Sequence, residues 1–486
     1  MIAVLLILIP LIGGLALFAV KNETAAKGLA LFAAIATLVV SILGLTVLKQ
    51  PSHLELNADW LPALNARFHV GLDGMGQLLC LLTAISFPLI FIATRNNPYK
   101  NAPRFYALML LSQAGLMGVF VAMDALLFYF FWELALVPVY FLSSIWGGER
   151  RIASTFKFFI YTFAGSMLML VGIISIYFLA GQSFDLSAWQ SLKIDPSAET
   201  WLFWLFFIAF AIKMPIWPFH TWQPDAYEQS PTAVTMVLSA IMVKMGVFAL
   251  IRWLAPVLPN ATYQWGDTIS LLCLIGMIYA SLIAMMQDDL KRLIAYSSIA
   301  HVGLMCLAIF ASNKSGLQGA VIQMFNHGIN ILGLWIVANA IEQRYGTRRI
   351  SQLGGLAQKA PGLAILLVIV ALANIALPLT NSFVGEFMMF NGVFTSPVTR
   401  YGVVDTVTAG ICIILSAVYT LNMIKKIFYG ETSTLTATGS DVSGAVKFSL
   451  VVIVALVFVT GIYPKPMLQL TNEAVDTILH HMRTNM

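Results

Sequence analysis

Charged side chains are scarce. Asp, Glu, Lys and Arg make up 10% of the 486 residues, less than half the share of an ordinary soluble domain, which excludes a water-soluble globule. Cysteine is rarer still. Cys80, Cys273, Cys306 and Cys412 stand far apart in apolar runs with no CxxC pair, so a thiolate metal or cluster site is excluded and they read as small core residues. No GxGxxG or phosphate-loop lysine follows a strand pattern, and nucleotide binding finds no support. The net charge of +5 comes from loop lysines and arginines and does not point to nucleic acid. Heptad repeats and low-complexity stretches are missing too.

What the chain has in abundance is apolar length. Hydrophobic residues account for 59% of it, in recurring runs of about 20 residues, each able to cross roughly 30 Å of hydrocarbon. The expectation is an all-α polytopic membrane protein with about fourteen transmembrane helices. The first run, "MIAVLLILIPLIGGLALFAV", has no basic leader and no small-residue cleavage site, and reads as a retained span. Basic residues alternate with the spans: seventeen fall in one set of loops and eight in the other. That asymmetry predicts an even span count with both termini outside.

Four ionisable groups remain well inside spans: Glu133, Lys213, Lys244 and Glu386. His301 and His327 join them on successive spans. An ionisable group at mid-membrane costs about 3 kcal/mol on insertion scales, so such residues normally face a protein interior or a watered cavity and mark an ion or proton path. A structural reading stands beside each: Glu133 as a helix–helix pair, Lys213 snorkelling on its long stem, the histidines as hydrogen-bonded helix contacts. Lys213 sits well short of the polar exit, because "MPIWPFHTW" follows it, and Lys244 lies in mid-span. His220, with polar sequence after it, reads as interfacial.

Two spans are interrupted by proline. "KMPIWPF" breaks span seven (200–219), and "ALPLTNSFVGEF" breaks span twelve (361–395), with Pro378 and Gly385 ahead of Glu386. Paired interrupted segments five spans apart point to an inverted-repeat transporter. The expected organisation is a three-helix segment over 1–103, one five-helix repeat over 104–256 and a second, inverted, over 257–430. The last helix and a tail follow over 431–486. Burial disfavours an ammonium and a nearby carboxylate favours it, so a lysine–glutamate pair that parts can release a proton to the next group. Histidine, which titrates near neutrality, can bridge the two.

Six stretches carry a resemblance: "FFWELALVPVYF", "KFFIYTFAGSMLML", "FAIKMPIWPFHTWQPDA", "DLKRLIAYSSIAHVG", "GAVIQMFNH" and "NSFVGEF". Over nearly its whole length the chain resembles the antiporter-like membrane subunits of respiratory complex I, and among these the M type. Glu386 stands in broken helix twelve where N- and L-type relatives usually carry lysine, and the long lateral helix of the L type is not seen after span fourteen. The resemblance implies a proton-translocating subunit of NADH:quinone oxidoreductase. Glu133 takes the place of the helix-five glutamate, Lys213 of the helix-seven lysine and Lys244 of the relay lysine in helix eight. His301 and His327 are the connecting histidines and Glu386 the terminal acid.

It further implies no cofactor in this chain, with FMN, iron–sulfur clusters and quinone held by partner subunits. The expected partners are other complex I membrane subunits, especially neighbouring L- and N-type ones, in a bacterial inner membrane. Two departures stand out: Leu379 and Thr380 follow the proline where the family usually has glycine, and Tyr227 stands where it often has histidine. Rival readings are a subunit of a multi-subunit cation/proton antiporter or membrane-bound hydrogenase, a stand-alone transporter of an organic substrate, and a purely structural subunit.

Overall fold

Acidic and amide side chains at the loop ends start many of the helices. Asn22, Asp73, Asp124, Asp195, Asp289 and Asn313 each accept a hydrogen bond from a backbone N–H in the first turn that follows. These caps satisfy donors that a helix leaves unpaired at its start. The computed structural model describes residues 1–48, 50–437 and 441–484.

The helices of eight residues or more are, in order, α1 (Ile2–Leu17), α2 (Glu23–Thr46), α3 (Gly74–Ala93), α4 (Ala102–Val121), α5 (Ala125–Trp146) and α6 (Arg151–Leu179). Then come α7 (Pro196–Lys213), α8 (Trp222–Gln229), α9 (Thr232–Leu254), α10 (Pro259–Met285), α11 (Leu290–Phe310) and α12 (Lys314–Tyr345). The last five are α13 (Pro361–Asn374), α14 (Asn381–Phe394), α15 (Gly402–Phe428), α16 (Gly444–Ile462) and α17 (Lys465–Thr484). Eleven helices among the described residues are long and apolar enough to cross a membrane. The shorter α1 and α13 are apolar as well, and α7 and α13 each end at a proline-marked break.

Burial sorts these helices into layers. The apolar stretches of α9 and α12 are wholly buried and α11 nearly so, whereas α2, α6, α15 and α16 keep most of theirs on the outside. A helix apolar all round belongs at the centre of such a bundle. Small residues let the layers close: a Cβ on Gly115 of α4 would sit 2.3 Å from the Ala135 nitrogen of α5.

Loops on one face are stitched together. A hairpin, β1 (Leu56–Leu61) with β2 (Ala66–Val70), pairs antiparallel around Asn65 in a left-handed conformation. Isolated bridges join Val70 to Ala122 and Asp124 to Asp185 on that face, and Asp289 to Arg349 on the other. The Met1 ammonium donates to the His53 carbonyl ahead of the hairpin, and Lys314 at the start of α12 pairs with Asp476 of α17 at 2.8 Å. Both ends of the chain therefore lie on the hairpin face, which fits an even number of passes.

Three features differ from the sequence expectation. The hairpin was not foreseen, since its alternating residues sit between two spans and bury little. The tail beyond span fourteen is the helix α17, which buries Thr471, Val475, Ile478, Leu479 and Met482 along one side. The stretch after His220, read as a loop, forms α8, with Trp222, Gln223, Tyr227 and Glu228 buried. His220 itself is buried rather than interfacial.

Candidate functional site

The three innermost helices carry three of the six residues singled out above, and α14 brings a fourth against them. Lys244 sits in α9 just after a π-helical turn, Leu238–Met242, and is fully buried. Such turns widen a helix and recur at functional positions. Lys244 Nζ donates to the Ser239 carbonyl at 2.8 Å and lies 2.9 Å from His327 Nδ1 on α12. The His327 ring stands 5.4 Å from that of His301 on α11, and His301 Nδ1 is 3.3 Å from Glu386 Oε1 on α14. Gln323 Nε2 donates to the same carboxylate oxygen at 3.4 Å. Lys244, His327, His301 and Glu386 thus form one buried series in which each member meets the next.

Glu133 and Lys213 form a second, looser pair. α7 ends at Lys213, as the prolines after it require, and its Nζ is buried with no hydrogen-bond partner in the protein. The ammonium lies 5.5 Å from the Trp132 ring centroid and 5.9 Å from that of Phe158. Glu133, next to Trp132 on α5, is the carboxylate whose field reaches it. They make no direct ion pair, and no contact among the described residues joins Lys213 to Lys244.

The break in span twelve is held from α12. Asn326 Nδ2 donates to the Asn381 carbonyl at 2.8 Å, Asn381 Nδ2 to the Asn326 carbonyl at 3.3 Å, and Asn330 Nδ2 to Ser382 Oγ at 2.9 Å. These bonds tie the first turn of α14 to α12. Leu379, where the resembling family usually has glycine, adopts φ +74°, and Ala376 φ +57°. Side chains in that region cost about 1–2 kcal/mol. α16 backs the break closely: a Cβ on Gly461 would lie 2.4 Å from the Thr380 carbonyl carbon.

Other polar groups line the same interior. Both amide atoms of Gln113, His327 Nε2, Glu386 Oε2 and Lys213 Nζ are buried without a partner in the protein, and Gln223, Tyr227 and Ser239 are buried beside one another. Buried polar groups are nearly always hydrogen-bonded, and these atoms make the surroundings of both lysines polar. Sequence reading missed Gln113, Gln223, Gln323, Asn326, Asn330 and Asn374, because it looked for charge. Amides within apolar spans were the available signal.

At the face opposite the hairpin, Glu228 receives Arg292 and Arg348, each at 2.8 Å, and Arg348 also pairs with Asp289. Lys291 meets Glu342 at 2.7 Å. A pocket of about 620 Å³ opens among these groups. On the hairpin face a pocket of about 730 Å³ is lined by His69, Asp73, Asp185 and Arg252, among others. His69 lies 2.6 Å from Asp185 and 2.9 Å from Glu55. The Asp185 bond first, and Glu55 with it, holds the imidazole pKa above its ordinary value against the pull of burial. Burial pushes the Asp185 carboxyl up, yet His69 and Ser187 hold it down at about 2.

Residues 122–412 match the family described as "NADH:quinone oxidoreductase/Mrp antiporter, TM". The chain is 35% identical over 479 residues to the NADH-quinone oxidoreductase subunit M of Rhodobacter capsulatus, covering 95% of this chain and 92% of that one. Its fold is similar to a chain of respiratory complex I from Thermus thermophilus, with TM-score 0.89, 28% identity and coverage of 99% and 100%. A chain of the Mrp complex from Dietzia sp. DQ12-45-1b shares the fold at TM-score 0.87 and 20% identity, with 99% of each chain covered.

Proposed function

Because the chain belongs to the NADH:quinone oxidoreductase/Mrp antiporter family of membrane proteins, we propose that it is the proton-translocating M subunit of an NADH:quinone oxidoreductase. It is an integral, multi-pass component of that enzyme complex. The observation that carries the proton path is the buried series Lys244, His327, His301 and Glu386, with contacts of 2.9 Å and 3.3 Å at its two ends. Four buried titratable groups kept at a cost of a few kcal/mol each, three of them in the most buried helices, are an arrangement for moving charge rather than for packing.

In this reading Glu133 modulates Lys213: when the two draw together the lysine keeps its proton, and when they part it releases it. Lys244 and the histidines carry the proton on, and Glu386 delivers it to the outside. Electron transfer from NADH to quinone takes place on FMN and iron–sulfur clusters held by partner subunits. Neighbouring L- and N-type subunits flank this chain in a bacterial inner membrane. The arginine-rich face looks inward and the termini outward, in keeping with the basic-residue asymmetry. Residues 104–256 and 257–430 act as two inverted five-helix units, each with one broken helix. Glu386 in place of a lysine favours this reading over a cation/proton antiporter or hydrogenase subunit.

The test is proton pumping per NADH oxidised by the assembled complex in liposomes. Lys213→Ala or Glu133→Ala is expected to lower it roughly tenfold or more, with assembly intact on a native gel. Wild-type pumping by either assembled variant contradicts the path.

A further inference from the structure

His301 has a second set of neighbours that the path does not use. α13 ends at Asn374, one turn before Pro378, and this places its amide against α11. Asn374 Nδ2 lies 3.3 Å from His301 Nε2 and 3.4 Å from Ser297 Oγ, one turn earlier on α11. Ser297 Oγ also accepts from the Tyr419 hydroxyl of α15 at 2.9 Å. All four residues are buried. Both amide hydrogens of Asn374 are thereby directed, one to serine and one to histidine, while its Oδ1 has no partner in the protein.

A neutral imidazole carries one N–H, and the hydrogen bond made by one ring nitrogen decides where it sits. With Asn374 donating to Nε2, the hydrogen must be on Nδ1, facing Glu386. We propose that Tyr419, Ser297 and Asn374 are positioning residues that hold His301 in the tautomer able to take a proton at Nε2 and give one up from Nδ1. This rests on the proton path proposed above. An incoming proton displaces the Asn374 N–H from Nε2 and bonds there, the Nδ1–H bond breaks, and that proton passes to Glu386 Oε1, leaving the ring neutral. The new Nε2–H then meets the Asn374 amide as a contact of two donors, which disfavours this tautomer relative to the one protonated at Nδ1. The titratable groups facing His301 are Glu386 from α14, His327 from α12 and, behind it, Lys244 from α9; Tyr419 from α15 stands behind Ser297.

Tyr419→Phe and Ser297→Ala each remove a hydroxyl with little change of shape. Loss of the clamp frees the Asn374 amide to present its carbonyl to Nε2–H, so the ring holds its proton more tightly. Pumping per NADH at neutral pH is expected to fall about two- to tenfold, and its pH profile to move to the alkaline side by about half to one pH unit. The double variant is expected to match the singles, because both break one chain of bonds. Unmoved profiles in both single variants, or losses that add, overturn the positioning role. His301→Gln separates this from the path itself. If that variant pumps normally the path fails and the clamp with it; if it does not, unmoved profiles in the other two condemn the clamp alone.

Discussion

At the residue scale, the interior is decided by which polar atoms have a protein partner and which do not. Lys244 is pinned by Ser239 and His327, whereas Lys213 lies among rings with its ammonium unbonded. In the proposed path the first hands over a proton at short range and the second responds to a carboxylate at a distance. Lys244→Arg is therefore expected to cut pumping roughly tenfold or more, since a guanidinium does not give up its proton. Proton uptake in liposomes at matched NADH turnover checks this. The charged members of the site were legible in the sequence because an ionisable group in an apolar run is conspicuous. Asn374, Ser297, Tyr419 and Gln323 were not, since one neutral polar residue in a span is common and only contact with a neighbouring helix gives it a role.

At the scale of elements, the breaks and the hairpin are the informative parts. Proline and the polar "TNS" marked the interruption of span twelve, but not that Leu379 would take a left-handed conformation. Leu379→Gly is expected to raise the thermal stability of the assembled complex by about 1 kcal/mol. Gly461→Leu, driven into the Thr380 backbone, is expected to cost about 1–3 kcal/mol and to loosen α14 in hydrogen-exchange experiments.

The hairpin's anchor is a pH-dependent one. His69, whose folded pKa is raised, contributes fully below about 6.5 and fades as pH climbs through the higher folded value. Asp185, held near 2, contributes above about 3.9 and fades on acidification towards that value. Protection of residues 56–70 from hydrogen exchange is therefore expected to be greatest between about pH 4 and 6.5. It should decline above neutrality, and His69→Gln should flatten that decline. α17 and the hairpin escaped sequence reading for one reason: their apolar residues occupy one face, so a window average hides them.

Across the whole molecule, the all-helical multi-pass architecture and the two breaks followed from hydropathy and the placement of proline, because the bilayer permits few alternatives. Packing order did not. Only the structure puts α9, α11 and α12 at the centre and turns the apolar faces of α2, α6, α15 and α16 outward. Lys244, His327 and His301 lie on these central helices, and Glu386 is buried against them from α14. The most direct test is Lys244→Met in the assembled complex, a side chain of similar length without a titratable group. Proton pumping per NADH should fall at least tenfold, with NADH oxidation by the uncoupled complex and the subunit composition retained. Undiminished pumping by that variant would show that protons do not travel by way of these four side chains.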